Sequence, residues 1–529
     1  MRKFSRDLLL GAVVCAAYYA AGRMGLSAQA INKYATFIWA PTGIALGSLF
    51  LLGVRFWPAI IIGSFTVNFV TGAPFFVALG ISSGNTLEVL TSVYLLRRSG
   101  FQNFFRYSDA IKFIFLGIPL GTFLSATIGV GCLWLASLIP SSQWIATWGT
   151  WWIGDALGAL IVAPLAIVWY QWQPIKEIRP LRVLEAVTLA GCVFFLSCYM
   201  FLNWFDVDTS EMLRPHLYLL FPLLIWAAVR FGPRGGISVL FFYALVATWT
   251  LLRHPLFFPS DPKDTHFTGF FQLGTFLLIA GVTELILATV FEERRNAIQT
   301  RDEFFNIASH ELKTPLTSLR LQTQIALRKL QRSGEKGLSL ESMANLLNLN
   351  DVQIGKINHL IEEMFDVARI NAGSLQLDVH EMDFSETLRE VLTRLSAQIS
   401  AAGCEVRLEA EKNTNGRWDR ARLEQVIENL IGNACKYGSG KPIEMKVSTK
   451  NNKIRFSIKD HGIGIEKSEH LRIFNQFERG ALVSHVGGLG LGLYIVIQIV
   501  KKHDGQVKVE SELGKGATFT LELPRHSSL

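Results

Sequence analysis

Ten apolar segments follow one another in the first 290 residues of this 529-residue chain. Each is long enough, or nearly so, to cross the roughly 30 Å hydrocarbon core of a bilayer as a helix. The segments lie near residues 7–26, 35–54, 56–72, 75–96, 110–136, 146–171, 183–202, 216–231, 235–252 and 269–291. This pattern predicts an all-α polytopic membrane domain, in which the third segment and the pair formed by the eighth and ninth are the least distinct.

The charged residues indicate how this half is oriented. Residues 1–290 hold 18 Lys and Arg against 12 Asp and Glu, whereas the remainder holds 33 against 31, so most of the formal charge of +8 belongs to the membrane half. Ten spans place both ends on one side, with 13 Lys and Arg inside and 5 outside. The positive-inside rule therefore predicts that the N-terminus and the C-terminal half are cytoplasmic. Because no basic cluster marks a soluble face, no nucleic-acid partner is expected.

Two further features concern processing and redox state. The opening Met1-Arg2-Lys3 before an apolar run fits a cleaved signal peptide or a retained anchor, and Arg23 with the spans that follow favours the anchor. The six cysteines include no CxxC pair and no ligand-spaced histidine cluster. This pattern favours reduced thiols over a disulfide or metal framework.

Several polar side chains fall inside the predicted spans, where lipid exposure is costly and the bundle interior is the expected location. They are Asn68, Asn85, Glu88, Asp155 beside Trp151 and Trp152, and Glu284. Two interpretations stay open, because these groups can bind a ligand or relay a signal, or can only tie helices together by hydrogen bonds. The longest predicted outside loops, near 203–215 and 253–267, are short. Sensing is therefore expected within or at the membrane.

Four motifs in the membrane half are specific enough to suggest a family. They are Trp39-Ala40-Pro41-Thr42-Gly43-Ile44-Ala45, Arg55-Phe56-Trp57-Pro58, Gly84-Asn85-Thr86-Leu87-Glu88 and Trp151-Trp152-Ile153-Gly154-Asp155-Ala156-Leu157-Gly158. Over roughly residues 10–290 the chain resembles the first of the bacterial membrane-associated sensor (MASE) families. This resemblance implies an integral membrane input domain attached to a signalling output, with a stimulus that the family does not specify.

The last apolar segment leads without a helix breaker into the polar half. No Gly or Pro occurs between Gly281 and Pro315, and these 33 residues would extend about 50 Å as one helix. Such a helix leaves no room for a separate cytoplasmic sensory domain. We therefore expect rotation, tilt or piston movement of the last span to reach His310 directly.

Apolar stripes on two successive helices predict a hairpin that dimerises. Phe305, Leu312 and Leu319 recur every seven residues on the first helix, and the stripe on the second comprises Ile354, Ile357, Ile361 and Met364. The segment 333–337 separates the helices. Two such stripes are buried most economically when two hairpins pair, so the sequence predicts an antiparallel α-helical hairpin in a homodimeric four-helix bundle.

The stretch Ser309-His310-Glu311-Leu312-Lys313-Thr314-Pro315-Leu316 places a histidine beside a carboxylate on the predicted helix. Imidazole is largely neutral yet nucleophilic near neutral pH, which suits His310 to accept a phosphoryl group. Pro315 cannot donate to the Glu311 carbonyl, so a kink is expected there. The run 304–316 resembles the H-box of sensor histidine kinases. That resemblance implies that His310 is the phosphoacceptor, that Glu311 orients the imidazole and acts as general base, and that Thr314 positions water for phosphatase activity.

From about residue 374, short alternating strands and amphipathic helices predict an α/β sandwich. One helix places Asn429 and Asn433 one turn apart, where their amide oxygens can bind Mg²⁺ while Lys436 faces phosphates. Asp460 follows a strand and can accept from an adenine amino group. The glycine string from Gly487 opens a helix whose N–H groups suit phosphates, although it fits neither the Walker nor the Rossmann pattern.

In this order the motifs resemble the N, G1, F, G2 and G3 boxes of histidine kinase ATPase domains. The resemblance implies the Bergerat ATP-binding fold shared with gyrase, Hsp90 and MutL-type ATPases, with a lid over residues 466–487. The implied nucleotide-binding residues are Asn429, Asn433, Lys436, Tyr437, Asp460, Gly462, Gly464, Ile465, Phe477, Gly488, Leu489, Gly490, Leu491, Gly492, Leu493 and Thr518, with Asn429 and Asn433 holding Mg²⁺. Leu489 and Ala517 stand where threonine or serine is common in the family, which is expected to alter nucleotide affinity slightly.

The sequence thus predicts three domains, a membrane sensor over 1–291, a dimerisation and phosphotransfer domain over 292–372, and a catalytic ATP-binding domain over 373–529. The resemblances imply a homodimeric two-component sensor kinase that uses ATP and Mg²⁺ to phosphorylate His310, with phosphatase activity as a second capability. Because no receiver domain appears before Leu529, the acceptor aspartate is expected on a separate response regulator. The alternatives are a transporter with a regulatory soluble half, a non-catalytic dimeric scaffold, and an Hsp90-type ATPase, which the H-box disfavours.

Overall fold

A boundary after Ile298 divides the chain into two units, Met1–Ile298 and Gln299–Leu529. The computed structural model describes residues 2–27, 36, 38–170, 180–201, 217–253, 267–333, 340–438, 440–478 and 489–526. The first unit is helical throughout its described residues, as the apolar runs predict. The predicted outside loop 203–215 and nearly all of the predicted loop 253–267 lie outside these ranges.

The regular elements described in the first unit are helices, with short 3₁₀ or π segments between some of them. They are α1 (Arg2–Ser27), α2 (Ala40–Leu52), α3 (Trp57–Val70), α4 (Phe75–Arg98), α5 (Tyr107–Lys112), α6 (Pro119–Leu135), α7 (Trp144–Tyr170), α8 (Pro180–Phe201), α9 (Leu220–Arg253) and α10 (Phe267–Ser333). Proline occupies the first turn of α2, α3 and α6, where its missing N–H costs no helical hydrogen bond.

Six of the described helical segments are long and apolar enough to cross a membrane. They are Phe4–Ser27, Tyr107–Leu135, Ser141–Tyr170, Pro180–Tyr199, Leu220–Trp249 and Leu273–Gln331. The predicted segments 35–54 and 56–72 form the shorter helices α2 and α3, of 13 and 14 residues. At about 1.5 Å per residue, these two reach only roughly 20 Å. The count of ten spans stays a prediction.

The eighth and ninth predicted spans form the single element α9, which bends at Gly232. Gly232 has φ 62° and ψ −156°, outside the helical region, and Pro233 follows it. Glycine tolerates the positive φ, and proline removes a backbone donor, so together they interrupt the helix without ending the element. The sequence-based division at residues 231–235 therefore corresponds to a bend.

The polar side chains predicted to face the bundle interior are buried. Asn68, Asn85, Glu88, Asp155 and Glu284 are each at most 3% exposed. The prediction of an interior location is therefore confirmed for all five.

Helices α2 and α7 approach so closely that their backbones touch. A β-carbon at Gly43 would lie 2.1 Å from the carbonyl oxygen of Gly158, and one at Gly158 would lie 1.9 Å from that of Trp39. The Trp39 N–H also donates to the Gly154 carbonyl at 2.9 Å. Glycine at these positions fixes α2 and α7 against each other, as small residues do in membrane bundles.

Helix α10 runs without interruption from Phe267 to Ser333, a length of 67 residues. It contains both the last apolar segment and His310, so the predicted continuous helix is confirmed. Pro315 lies inside it and does not end it. The second unit therefore begins within a helix.

The second unit opens with a hairpin made by the end of α10 and by α11 (Leu340–Asn371). Several apolar side chains of this hairpin face outward. Phe305 is 56% exposed, Ile354 is 49% exposed and Ile361 is 38% exposed. These residues belong to the stripes that predict dimerisation, and within one chain they are not covered.

A mixed five-stranded sheet follows the hairpin. The elements are β1 (His380–Asp383), α12 (Phe384–Arg394), α13 (Ser396–Ala401), β2 (Val406–Ala410), β3 (Asn415–Trp418), α14 (Arg420–Tyr437), β4 (Ile443–Lys450), β5 (Lys453–Lys459), α15 (Gly492–Lys502), β6 (Gln506–Ser511) and β7 (Ala517–Pro524). The sheet order is β2-β4-β5-β7-β6, parallel only between β2 and β4, while β1 and β3 form a separate antiparallel pair.

Alternation along the strands makes one face of this sheet apolar. In β5, Ile454, Phe456 and Ile458 are buried between more exposed neighbours. They share one core with the apolar faces of α14 and α15, including Ile427 and Ile495. Helices on one face of a mixed sheet confirm the predicted α/β sandwich.

Candidate functional site

A cavity of about 660 Å³ lies in the second unit, between the inner face of α14 and the loops around it. Its lining includes twelve of the nucleotide-binding residues inferred from the sequence. They are Asn429, Asn433, Lys436, Tyr437, Asp460, Gly464, Ile465, Leu489, Gly490, Leu491, Gly492 and Leu493. Residues distant in sequence thus converge on one concave site, which is the usual form of a small-molecule pocket.

Helix α14 supplies the amide and ammonium groups of the cavity. Asp419 caps the helix by accepting from the Arg422 N–H at 3.0 Å, and a buried apolar stripe packs the opposite face onto the sheet. Asn429 and Asn433 consequently face the cavity one turn apart. The Lys436 ammonium lies 5.3 Å from the centre of the Tyr437 ring, a cation–π distance, and both side chains line the same wall.

Asp460 lies at the end of β5 and is held by backbone donors. Its Oδ1 accepts from the N–H groups of Gly462 at 2.9 Å and Ala517 at 3.2 Å, and the residue is 7% exposed. Burial raises the pKa of this carboxyl above its usual value, and the two backbone hydrogen bonds oppose that shift. The hydrogen bonds fix Oδ1, so the carboxylate presents a defined orientation to the cavity.

Two glycines beside Asp460 are required by backbone geometry. Gly464 has φ +72°, and a β-carbon there would lie 2.1 Å from the Glu512 carbonyl oxygen. A β-carbon at Gly462 would lie 2.2 Å from the Tyr437 carbonyl oxygen. Gly462 therefore supports the site from behind, by donating to Asp460 and packing on Tyr437, and is not itself in the lining.

The loop before α15 forms the wall opposite α14. Leu489 and Leu491 are buried and anchor this loop in the core, while Gly490 between them has φ +69°. A β-carbon at Gly492 would lie 2.9 Å from the Asn429 amide oxygen. Glycine at 492 therefore keeps open the space between Asn429 and the first turn of α15, where backbone N–H groups can meet an anion.

Two inferred residues, Phe477 and Thr518, lie away from the cavity lining, and a third is not among the described residues. Gly488 and residues 479–487 of the inferred lid lie outside the described residues. Thr518 is not in the lining, because β7 alternates and presents Ala517 and Phe519 to the cavity. Phe477 has φ +63° and lies with its ring 5.7 Å from that of Phe304, so it contacts the hairpin and not the cavity.

His310 lies on α10 with its side chain 81% exposed. Its Nδ1 is 3.8 Å from Glu311 Oε1, and the Thr314 hydroxyl donates to the His310 carbonyl oxygen at 3.2 Å. The three H-box residues are thus neighbours, as the helical spacing predicts. His310 is not among the described residues that line the cavity.

The hairpin contributes cavity residues that no sequence motif indicated. His359, Leu360 and Glu363 of α11 line the cavity, and His359 Nε2 lies 3.7 Å from Glu363 Oε1. Burial raises the pKa of the Glu363 carboxyl, and the Asp366 carboxylate adds to this shift, while the Lys436 ammonium opposes it. These residues lie beside the apolar stripe of α11. In the sequence they therefore belong to an ordinary amphipathic helix, and no motif marks them.

Two hydrogen-bonded groups join α11 to the sandwich. Asp366 accepts from the Arg422 guanidinium at 2.7 Å and from the Gln425 amide at 2.6 Å. Asn371 Oδ1 accepts from the Gln476 amide at 2.9 Å and from the Tyr494 hydroxyl at 3.1 Å. Both groups hold the hairpin against the elements that form the cavity.

The donors and acceptors of the cavity fit a magnesium nucleotide. Asp460 offers an acceptor for an amino group, and the apolar side chains of Ile463 and Ile473 border a flat base. Asn429 and Asn433 offer neutral oxygens of the kind Mg²⁺ accepts, and Lys436 offers positive charge to phosphates. The open space that Gly492 leaves beside Asn429 is where the phosphates would have to lie.

Three family models match the chain, in separate regions. MASE1 matches residues 9–295, which is more than half of the 529 residues. The His Kinase A (phospho-acceptor) domain matches residues 300–373. The histidine kinase-, DNA gyrase B-, and HSP90-like ATPase matches residues 418–527.

Known relatives resemble the chain over less than half of its length. Signal transduction histidine-protein kinase AfsQ2 of Streptomyces coelicolor is 30% identical over 274 residues, which are 49% of this chain and 50% of AfsQ2. Sensor histidine kinase MtrB of Mycobacterium tuberculosis is 28% identical over 225 residues, 42% of this chain and 38% of MtrB. The solved structure of Acinetobacter baumannii histidine kinase AdeS is 24% identical, with a TM-score of 0.33, and covers 41% of this chain and 98% of AdeS. The chain thus spans about half the length of these curated relatives, or less.

Proposed function

Because this chain belongs to the MASE1 family and joins that multi-pass membrane domain to the phospho-acceptor and ATPase domains of a sensor histidine kinase, we propose that it transfers the γ-phosphoryl group of ATP to His310. The phosphoryl group then passes to an aspartate of a separate response regulator. The observation that carries this proposal is that one unit holds both an exposed histidine beside a carboxylate and a cavity lined by Asn429, Asn433, Lys436 and Asp460.

Glu311 gives His310 the protonation state that the reaction needs. With Glu311 Oε1 3.8 Å from Nδ1, the carboxylate favours the tautomer that carries its proton on Nδ1. Nε2 then keeps its lone pair for attack on the γ-phosphorus, the bond to ADP breaks, and the phosphoryl group moves to Nε2. Glu311 accepts the Nδ1 proton as positive charge develops on the ring.

The cavity residues orient ATP for this attack. Asp460 accepts from the adenine amino group, Asn429 and Asn433 hold Mg²⁺, and Lys436 pairs with phosphate oxygens. Bound Mg²⁺ neutralises charge on the phosphates. Phosphoryl transfer depends on positioning and charge neutralisation more than on covalent chemistry, and this set of residues supplies both.

The exposed hairpin stripe supports a homodimer. Phe305, Ile354 and Ile361 are uncovered in a single chain, and pairing of two hairpins would bury them. In the proposed phosphatase reaction, Thr314, one turn after His310, positions the water that dephosphorylates the response regulator. The excess of Lys and Arg in the predicted inside loops supports an inner-membrane location with a cytoplasmic kinase region.

The test is autophosphorylation of the full-length protein in lipid nanodiscs, with γ-labelled ATP and Mg²⁺. We expect label that is lost in acid and kept in base, as phosphohistidine is, and no label in His310→Ala. His380→Ala is the matched control, because His380 is an exposed histidine on β1, 71% accessible. Acid-stable label, or equal labelling of His310→Ala and wild type, would contradict the proposal.

A further inference from the structure

Seven polar side chains from six helices meet in the interior of the membrane unit. They are Tyr18 on α1, Thr42 on α2, Ser64 on α3, Asn85 and Glu88 on α4, Ser125 on α6 and Asp155 on α7. Each is at most 3% exposed. The proposed kinase chemistry uses none of them.

Two carboxylates face each other across a single hydroxyl group in this cluster. Thr42 Oγ1 lies 3.4 Å from Glu88 Oε2 and 3.3 Å from Asp155 Oδ1. The Gly43–Gly158 backbone contact holds α2 and α7 at the separation that puts Thr42 beside Asp155. The pairing of the two acids is therefore fixed by close helix packing.

Neither carboxylate has a compensating cation. The hydrogen bonds that reach them come from the hydroxyl groups of Thr42 and Ser125, and among the described residues no Lys, Arg or His forms an ion pair with Glu88 or Asp155. Two buried negative charges without positive charge are strongly unfavourable within a bilayer.

One carboxylate oxygen of the cluster lacks a hydrogen-bond donor. Thr42 and Ser125 each have one hydroxyl proton for the oxygens of Glu88, Asp155 and Asn85, while the Tyr18 and Ser64 oxygens accept from the Asn85 amide. Glu88 Oε1 is buried and has no hydrogen-bond partner among the described residues. An oxygen-rich, donor-poor interior is what a cation requires.

Neighbouring donors turn the free oxygens toward the centre of the cluster. The Asn85 amide nitrogen donates to Tyr18 at 3.1 Å and to Ser64 at 3.0 Å, which directs the Asn85 oxygen to Ser125. The Trp151 indole N–H donates to the Ser125 oxygen at 3.2 Å, so the Ser125 proton points at the acceptors. The surrounding shell thus fixes which atoms face inward.

The oxygens around Thr42 indicate the size of the cation, while Ser125 keeps ordinary hydrogen-bond distances of 2.7 Å to Asp155 Oδ2 and 3.0 Å to Asn85 Oδ1. The Thr42 to carboxylate separations of 3.3 and 3.4 Å exceed the usual O–H···O length of about 2.7–2.8 Å. They match the edge of an octahedron with metal–oxygen bonds of about 2.4 Å, the bond length of Na⁺ and, within its usual range, of Ca²⁺. The cost of burying an ion grows with the square of its charge, which favours the monovalent ion.

We propose that the membrane unit binds one Na⁺ between Glu88 and Asp155, with Thr42, Ser125 and Asn85 completing an all-oxygen site. The remaining negative charge is balanced by one proton shared by the two carboxyl groups. The site would bind a ligand of defined chemistry in the membrane unit. This proposal does not depend on the kinase proposal.

The test is equilibrium binding of radioactive Na⁺ to the full-length protein in lipid nanodiscs, at constant ionic strength with choline chloride. We expect one saturable site per chain, weakened at least about tenfold in Asp155→Asn, which removes one charged ligand. Thr42→Val keeps the shape of the side chain and removes only the bridging oxygen, so it should weaken binding about threefold to tenfold. Glu284→Gln, which removes a buried carboxyl group elsewhere in the unit, should bind as wild type does.

Further measurements distinguish Na⁺ binding from misfolding and from proton binding. Size-exclusion profiles and thermal unfolding show whether each variant folds, and if Asp155→Asn does not, Thr42→Val and Glu88→Gln decide the matter. K⁺ should compete poorly, and equal competition by K⁺ would refute the size argument. Absence of saturable binding, or binding unchanged in Asp155→Asn, would overturn the proposal. A response of thermal stability to pH but not to Na⁺, lost in Asp155→Asn, would identify a proton site and overturn it as well.

Discussion

The Asp366 carboxylate accepts a hydrogen bond from the Arg422 guanidinium at 2.7 Å, and this ion pair joins hairpin helix α11 to the helix that carries Asn429 and Asn433. Asp366 is 8% exposed, so the pair is largely shielded from solvent. His310 does not line the cavity of its own chain, so in this docked position a nucleotide phosphate does not reach the His310 of the same chain. If the proposed reaction occurs within one chain, the ion pair opposes it.

Replacing Asp366 by asparagine should accelerate autophosphorylation. The change removes the charge of the pair and keeps its shape, so the docked state loses stability and the initial rate of His310 labelling should rise about fivefold or more. Asp378→Asn is the matched control, because the Asp378 side chain is 86% exposed and contacts the exposed His380. An unchanged or lower initial rate in Asp366→Asn would show that docking at Asp366 does not restrain the kinase.

Replacing Asp460 by asparagine should weaken nucleotide binding and raise the thermal stability of the protein. Loss of the charged acceptor should weaken ATP binding about tenfold to a hundredfold, as measured by isothermal titration calorimetry. Because burial raises the pKa of Asp460, its ionised form lowers the stability of the fold, so the uncharged variant should have a higher Tm at neutral pH. A lower Tm together with lost binding would indicate general misfolding instead.

The same shift predicts how ATP affinity depends on pH. The pKa of Asp460 is higher in the folded than in the unfolded protein, so the protonated carboxyl stabilises the fold. This contribution to the free energy of unfolding is present at low pH and is lost as the pH rises through the folded pKa. Nucleotide binding has the opposite sign, since it needs the ionised carboxylate. ATP affinity should therefore fall on acidification at a pH above the ordinary Asp value of 3.8, and Asp460→Asn should lack that dependence.

Gly464→Ala should destabilise the second unit and weaken nucleotide binding. The residue has φ +72°, and the new β-carbon would lie 2.1 Å from the Glu512 carbonyl oxygen, so a cost of about 1–3 kcal/mol is expected in thermal or urea unfolding. Gly355→Ala is the control, because Gly355 is in helix α11 and a β-carbon there would have no atom within 4 Å. That control should stabilise by roughly 0.5–1 kcal/mol.

Alanine insertions after Arg295 should change kinase output with the period of a helix. One or two added residues rotate His310 about the axis of α10 relative to the last span, whereas four restore nearly the original direction, since a turn holds about 3.6 residues. Autophosphorylation of each variant in nanodiscs measures this. Output that does not depend on the number of inserted residues would exclude rotation of α10 as the signal.

The sequence predicted those features that depend on local spacing. The helical offset of Asn429 and Asn433 and the alternation in β5 are both encoded within a few residues, and the structure contains each of them. The cavity wall formed by His359 and Glu363 was not predictable, because their approach to α14 depends on how the hairpin packs.

In the membrane unit, too, some residues of the polar cluster could be predicted from the sequence and others could not. Asn85, Glu88 and Asp155 are conspicuous in the sequence because charge and amide groups are rare in apolar spans. Thr42 and Ser125 are not, since a hydroxyl group costs little in a membrane helix, and only the packing of α2, α4, α6 and α7 shows that they join the acids. The break that the sequence predicts between the eighth and ninth spans is present as a kink at Gly232 that separates two helical parts of α9.

That bend limits how this membrane unit can be reused. A β-carbon at Gly232 would lie 2.6 Å from Glu292 Oε2, so α9 and α10 touch at this point, and Glu292 precedes His310 by 18 residues, or five turns of α10. A chimera that joins the unit to a different output domain must keep Glu292 and add whole turns after it. Otherwise the new domain would be rotated about the axis of α10 relative to the membrane unit. Its response to the stimulus would then change in size or in direction.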